Sequence, residues 1–319
     1  MKGPGGPTLP HRLEYGAVVA LGALVRALPW RVAMALGRGL GRIVYAVDAP
    51  HRRLTVANLA AAFPHRGGDE HRAIARRVFA HFGELLFEVL RFSRLTPDEM
   101  RARVEFDGDE RIAEAHAQGK GVLFITGHFG FWELNALAQG LVHRPLALVA
   151  RPLDNPLLHA LLERIRTSTG NTVIYRQRGL RRIMRVLASN EGVAILIDQH
   201  IQAADAVMVE FFDRPASTTS AVAALALKTG APVIPVFALP LGGGRYRMVY
   251  EHPIEPPPAD AADAVREFTQ RCTDVLEMYV RRYPHLWLWM HRRWRDVEPL
   301  AASGMFPPVG AAEDTDEAP

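Results

Sequence analysis

The sequence predicts an α/β fold: a helical, membrane-associating amino-terminal segment, then a mainly parallel sheet flanked by helices. Three observations carry this. Apolar residues recur at helical spacing up to about residue 92. Beyond residue 104 short, almost continuous apolar runs take over, and helical stretches separate those runs. Strands that are apolar on both faces and alternate with helices belong to a buried parallel sheet.

Composition sets the class. With 319 residues, 49% hydrophobic and 23% charged, the chain is an ordinary globular one, not a disordered, collagen-like or disulfide-stapled one. The single cysteine, Cys272, excludes an intrachain disulfide and a multi-cysteine zinc site. The net charge is +4, and only Lys2, Lys120 and Lys228 are lysine, so arginine supplies almost all of the positive charge. A pI near 9.4 favours anionic partners. No nucleic-acid-binding module is present, which leaves an anionic membrane surface or an acidic carrier protein.

Taken in order, the first dozen residues, with Pro4, Pro7 and Pro10, read as an unstructured lead. Residues 15–25 are apolar but too short to span a bilayer, which takes roughly 20. A basic start and the small residues Ala33 and Ala35 mimic a signal peptide, yet the next segment points elsewhere. Pro29 suits the first turn of a helix over residues 30–47, on which Arg31, Arg38 and Arg42 fall within about 40° of one another. An apolar stretch followed by an arginine-striped helix fits an element lying on an anionic membrane. The competing reading is the solvated face of a helical cap. Residues 71–92 carry Ile74, Val78, Phe82, Leu85, Leu86 and Val89 as an apolar stripe, and Pro97 marks a boundary.

Strands are expected at residues 122–126, 146–150, 172–175, 193–197 and 233–237. Helices are expected near 131–140, 157–168, 180–190 and 219–230. The triplet Gly242-Gly243-Gly244 reads as a hairpin turn before 246–250. It is not read as a phosphate loop, because no helix follows to supply an amino terminus. A closing helix spans 260–283, and residues 284–295 are dense in Trp, His and Arg. Three regions follow: 1–104 helical and membrane-associating, 105–297 the α/β core, and 298–319 a disordered tail ending in Glu313, Asp314, Asp316 and Glu317.

The chemistry centres on residues 121–133, GVLFITGHFGFWE. A strand ends at Thr126, Gly127 permits a tight turn, and His128 follows before a helix. His128 and Glu133 diverge by about 140° on one regular helix, so they meet only if His128 sits in the turn and Glu133 on the helix behind it. The carboxyl end of a strand opening into a helix is where open α/β sheets place their ligands. A carboxylate beside an imidazole fixes its tautomer and stabilises the imidazolium, which suits deprotonation of a hydroxyl. The plainer reading is a histidine bonded to a core carboxylate as a helix cap.

Four further segments stand in a set order: Arg151-Pro152-Leu153-Asp154-Asn155-Pro156, then Asp198-Gln199, then residues 211–218 (FFDRPAST), and near the end residues 287–294 (WLWMHRRW). Together with His128 and Glu133, and with Asn58 and Phe63-Pro64 ahead of them, the series resembles the late acyltransferases of lipid A biosynthesis. These are the lauroyl/myristoyl transferases of the lysophospholipid acyltransferase group, and the resemblance covers nearly the whole chain.

The resemblance implies a glycerolphosphate acyltransferase-like core, with His128 and Glu133 catalytic and Arg166 and Asp198 functional. Arg164, two residues from Arg166, is the next candidate. Arg166 would bind a substrate phosphate, Asp198 would position that arginine, and Arg151 belongs to the same substrate set. Glu133 would orient the His128 ring. Backbone amides at Phe129 and Gly130 would hold the oxyanion, with Gly130 allowing close approach of substrate. The implied reaction moves an acyl chain from a thioester, on acyl carrier protein or coenzyme A, to a glycolipid hydroxyl. It takes place at the cytoplasmic face of the inner membrane, with no metal or other cofactor. Rival acceptors are a phosphatidylinositol mannoside or a lysophospholipid. Rival classes are a thioester hydrolase and a non-enzymatic membrane adaptor.

Overall fold

A computed structural model describes residues 6–92, 95–175, 179–202, 206–258 and 260–295. The region 298–319, expected to be disordered, lies outside the described residues.

Four helices come first: α1 (Leu9–Ala27), α2 (Trp30–Val47), α3 (Ala49–Ala62) and α4 (Gly68–Phe92). The lead is shorter than expected. Thr8 caps α1 in a reciprocal capping box with His11, and Pro10 occupies the first turn, where a missing N–H costs nothing. Helix α2 lies on α4 with almost no side-chain layer between them. A Cβ on Gly41 would come within 2.0 Å of the Phe79 carbonyl oxygen, and one on Gly83 within 2.3 Å of the Gly37 oxygen.

That contact turns α2 differently from the expectation. Arg38 folds back onto Glu84 of α4 at 2.7 Å and is no longer a free surface charge. What α2 presents outward is apolar: Val32, Leu36, Leu40, Ile43 and Val47 are exposed, with Val47 at 74%. Arg31 and Arg42 remain exposed beside them.

Helix α5 (Pro97–Arg101) leads into β1 (Val104–Asp107), α6 (Glu110–Ala117), β2 (Val122–Thr126), α7 (Trp132–Val142), β3 (Leu146–Ala150), α8 (Pro156–Thr167), β4 (Thr172–Tyr175), α9 (Leu180–Ala188) and β5 (Gly192–Leu196). A hairpin of β6 (Ala206–Glu210) and β7 (Pro215–Thr219) stands apart. Then come α10 (Ala221–Thr229), β8 (Val233–Gly242), β9 (Arg245–Tyr250) and α11 (Ala264–Arg282).

Seven strands form one sheet in the order β1-β9-β8-β2-β5-β3-β4, and all neighbouring pairs are parallel except β8 with β9. The predicted strands are present, and the glycine triplet joins β8 to β9. β1, β6 and β7 were not anticipated. Each is four or five residues long; β1 and β7 show no continuous apolar run, whereas the run at residues 206–209 of β6 was passed over.

Every residue of β2 is buried. Its side chains alternate between two cores: Leu123 and Ile125 pack with α3, α4, α10 and α11, whereas Val122 and Phe124 pack with α6, α7 and β9. Burial on both faces is why these strands read as continuous apolar runs. The site forms at the carboxyl end of this doubly covered strand.

Candidate active site

The parallel register between β2 and β5 builds the site. Thr126 pairs with Leu196, so His128 and Asp198, each two residues beyond the strand end, emerge side by side. Asp198 is 3% exposed and its two oxygens are fully used. Oδ1 lies 2.8 Å from His128 Nδ1. Oδ2 accepts from the His128 backbone N–H at 2.7 Å and from Trp287 Nε1 at 2.9 Å. Gly127 makes room for this, since a Cβ there would stand 3.0 Å from Asp198 Oδ2.

The electrostatics follow from that cage. Burial alone pushes the Asp198 carboxyl up, but the His128 ring, the amide and the indole outweigh it and hold the group at about 2. Burial pushes the His128 ring down, and the Asp198 charge and hydrogen bond, aided by Glu133, overcome this and raise it above its ordinary value. A carboxylate at Nδ1 sets the tautomer that leaves Nε2 as the free base. Nε2 faces the opening, where the Gln199 amide stands 3.5 Å away and the edge of Trp132 packs on the ring at 5.2 Å.

Glu133 has another partner. It is the second residue of α7, and Arg166 on α8 grips it with two parallel bonds, Nε to Oε2 at 2.9 Å and an Nη to Oε1 at 2.5 Å. The two expected roles are therefore exchanged. Asp198, not Glu133, orients the His128 ring, and Glu133, not Asp198, positions the arginine. The cause is register: β5 delivers Asp198 to the ring, while α7 turns Glu133 toward α8. Arg164 is exposed and Arg166 half-buried, which separates two arginines that spacing alone does not.

Three other expectations are corrected. The Phe129 amide donates to the Gly127 carbonyl at 2.8 Å and the Gly130 amide to the Leu286 carbonyl at 2.9 Å, so neither is free for an oxyanion. Gly130 has φ +57°, and a Cβ would approach the Ala238 oxygen to 2.2 Å. It is glycine because strand β8 presses on it, not because substrate does. Arg151 is exposed and, among the described residues, pairs loosely with Asp154 at 3.5 Å. In its motif the residue at work is Asn155, which caps α8 and donates to the His11 carbonyl and to Glu14 of α1.

The remaining motifs are stitched around the same cage. Asn58 donates to the carbonyls of Trp289 and His291. Buried Arg293 donates to the Ser217 carbonyl and the Thr218 hydroxyl. Trp287 was visible in the sequence only as one aromatic of a dense run, and its grip on Asp198 was not foreseen. Among the described residues no cluster of ligating side chains could hold a metal ion.

The model of the bacterial lipid A biosynthesis acyltransferase family matches residues 8–296. The lauroyltransferase of lipid A biosynthesis from Escherichia coli K12 is 29% identical, over 85% of this chain and 88% of its own. A phosphatidylinositol mannoside acyltransferase from Mycolicibacterium smegmatis is 22% identical, over 90% of this chain and 95% of its own. Among solved structures, the 1-acyl-sn-glycerophosphate acyltransferase of Thermotoga maritima matches 79% of this chain and 96% of its own, at 15% identity and a TM-score of 0.36.

Proposed function

The chain belongs to the bacterial lipid A biosynthesis acyltransferase family and is an acyltransferase, and we propose that it moves a fatty acyl chain from a thioester donor to a hydroxyl of a glycolipid, most simply a lipid A precursor. The observation that carries this reading is the His128 ring, tied through Nδ1 to a buried carboxylate and open at Nε2.

Nε2 takes the proton of the acceptor hydroxyl as its oxygen attacks the thioester carbonyl. The carbonyl π electrons move onto oxygen. Collapse of that tetrahedral intermediate breaks the C–S bond, and the departing thiolate takes the proton from Nε2–H. Asp198 keeps its negative charge throughout and stabilises the imidazolium, as in the serine hydrolase triads. With the Phe129 and Gly130 amides spent on protein carbonyls, Gln199 is the donor standing nearest the ring for the oxyanion. Two of the guanidinium N–H groups of Arg166 hold Glu133, and the others suit a substrate oxygen.

Acyl carrier protein or coenzyme A fits as donor to a basic chain. A phosphatidylinositol mannoside is the second acceptor reading, favoured by the mycobacterial relative. No helix among the described residues is long and apolar enough to cross a membrane. The exposed apolar row of α2, flanked by Arg31 and Arg42, supports attachment to an anionic inner-membrane surface at its cytoplasmic face.

His128→Ala should lower transfer by roughly 10²–10⁴-fold in a detergent assay with labelled thioester and glycolipid, leaving the fold intact. Near wild-type turnover would overturn the assignment, and so would release of free acid in place of acylated lipid. For attachment, Leu36→Glu with Ile43→Glu should move most of the protein from sedimenting anionic vesicles to the supernatant. Unchanged sedimentation removes α2 from the contact.

A further inference from the structure

Behind the loop that carries His128 lies a cavity of about 340 Å³, walled by α2, α4, the β8–β9 turn and the 3₁₀ turn Pro284–Leu286. It lies beyond the acyl-transfer chemistry, but it shares a wall with it. The Gly130 amide donates to the Leu286 carbonyl, and the rings of His81, Phe82, Trp132 and His128 run in consecutive contact at 5.3, 6.0 and 5.2 Å.

The cavity wall is rich in cations, and a count of its pairs shows which are free. Arg38 is matched by Glu84 at 2.7 Å, and Arg245 by Glu105. Among the described residues Arg77 meets the ring of His285, at 3.1 Å, which burial and then the arginine itself hold down at about 4, so it stays uncharged. Arg42 is exposed and has no carboxylate partner among the described residues. The other acid in the wall, Glu88, adds little negative charge, because burial raises it to about 8. Two guanidinium groups, Arg42 and Arg77, therefore face the cavity region without an acid.

Two polar atoms add direction. His81 Nε2 and Tyr246 Oη are buried in the wall without a well-formed hydrogen bond, the Gly130 backbone lying near the imidazole and the Glu88 carboxyl near the phenol, and buried polar groups are rarely left so loosely held. They belong to different walls, His81 to α4 and Tyr246 to β9. Gly242 and Gly243 form the rim, with φ +85° and +64° and open space where a Cβ would stand, so no side chain obstructs the mouth. Donors converging from several sides suit a tetrahedral anion with several oxygens better than a flat carboxylate.

We propose that this cavity binds a phosphate monoester group, held by Arg42 and Arg77 and hydrogen-bonded to His81 and Tyr246. The group is either part of a lipid headgroup or a free phosphate. Anion binding here does not depend on the acyl-transfer reading, and only the assignment to a headgroup rests on it.

The test titrates inorganic phosphate into the full-length protein in detergent, following thermal unfolding at constant ionic strength with chloride as control. A ligand that binds only the folded state raises Tm. Wild type and His128→Ala should both show the rise, Arg42→Gln should weaken it, and Arg42→Gln with Arg77→Gln should lose it. Both arginines are exposed, so the fold does not depend on them. No rise beyond that with chloride, or an equal rise in the double variant, overturns the proposal. Kinetics then separate the sources, using a phosphate-bearing glycolipid acceptor and the same lipid after phosphatase treatment. A KM raised about tenfold in the double variant for the phosphorylated acceptor alone assigns the cavity to the headgroup. Equal constants for both lipids, with the phosphate-induced rise intact in wild type, assign it to free phosphate.

Discussion

Two histidines meet the loop at residues 127–131, and their surroundings set them apart. His128 lies within the loop, bonded to a buried carboxylate, and its ring is held above its ordinary value in spite of burial. His81 approaches from α4 behind it. No acid answers its ring, so burial, reinforced by His285, takes it down to about 4 although the Gly130 backbone pulls the other way. One ring is a base with a fixed tautomer. The other is a neutral ring in a wall. Burial acts in the same direction on both, and the carboxylate that β5 delivers makes the difference.

Removing that carboxylate should have the largest effect. Asp198→Asn should cost about 10²–10⁴-fold in turnover and bring the His128 titration down. In wild type, kcat/KM should rise with pH through a value above 6.5, and in the variant that rise should move to lower pH. An NMR titration of the ring that does not move would erase the contrast between the two histidines.

The arginine side should respond more mildly. Arg166→Lys keeps the charge but loses the paired grip on Glu133, and should raise KM for one substrate about tenfold while kcat changes less. Arg166→Ala should damage both constants. Varying donor and acceptor separately identifies the substrate that it holds, and unchanged constants in both variants would remove Arg166 from the site.

The smallest effect separates the histidines by the sign of their pH dependence. His81 is lowered in the fold, so the unfolded chain binds its proton first, and stability falls as pH drops from about 6.5 to 4. His128 is raised, so its contribution is complete below about 6.5 and is lost as pH rises through the folded value. His81→Gln should flatten the acid-side fall of Tm by a few degrees, and Asp198→Asn should flatten the alkaline-side fall. Melting curves between pH 4 and 9 check both, and matching slopes in all three proteins would refute the distinction.

The legible part of the molecule was local. Both-face burial made β2, β3 and β5 continuous apolar runs, and α8 was expected near residues 157–168, close to where it lies. The motif order identified His128, Glu133, Arg166 and Asp198 as a set, but not who holds whom. That depends on the β2–β5 register, which joins residues 70 positions apart and leaves no periodic trace. Three-dimensional crowding also overturned the reading of Gly130, since the Ala238 oxygen that requires a glycine lies on a distant strand. The short strands β1 and β7 were missed for want of any apolar run, while β6 has one, at residues 206–209, that was passed over.

The glycine contacts between α2 and α4 have a mechanical consequence. Where two helices touch through backbone, as at Gly41 against Phe79 and Gly83 against Gly37, there is no cushion of rotatable side chains to absorb sliding or rolling. The pair opens together or stays shut together, as one cooperative unit. Amides in the middle of both helices should therefore exchange with deuterium at a common slow rate.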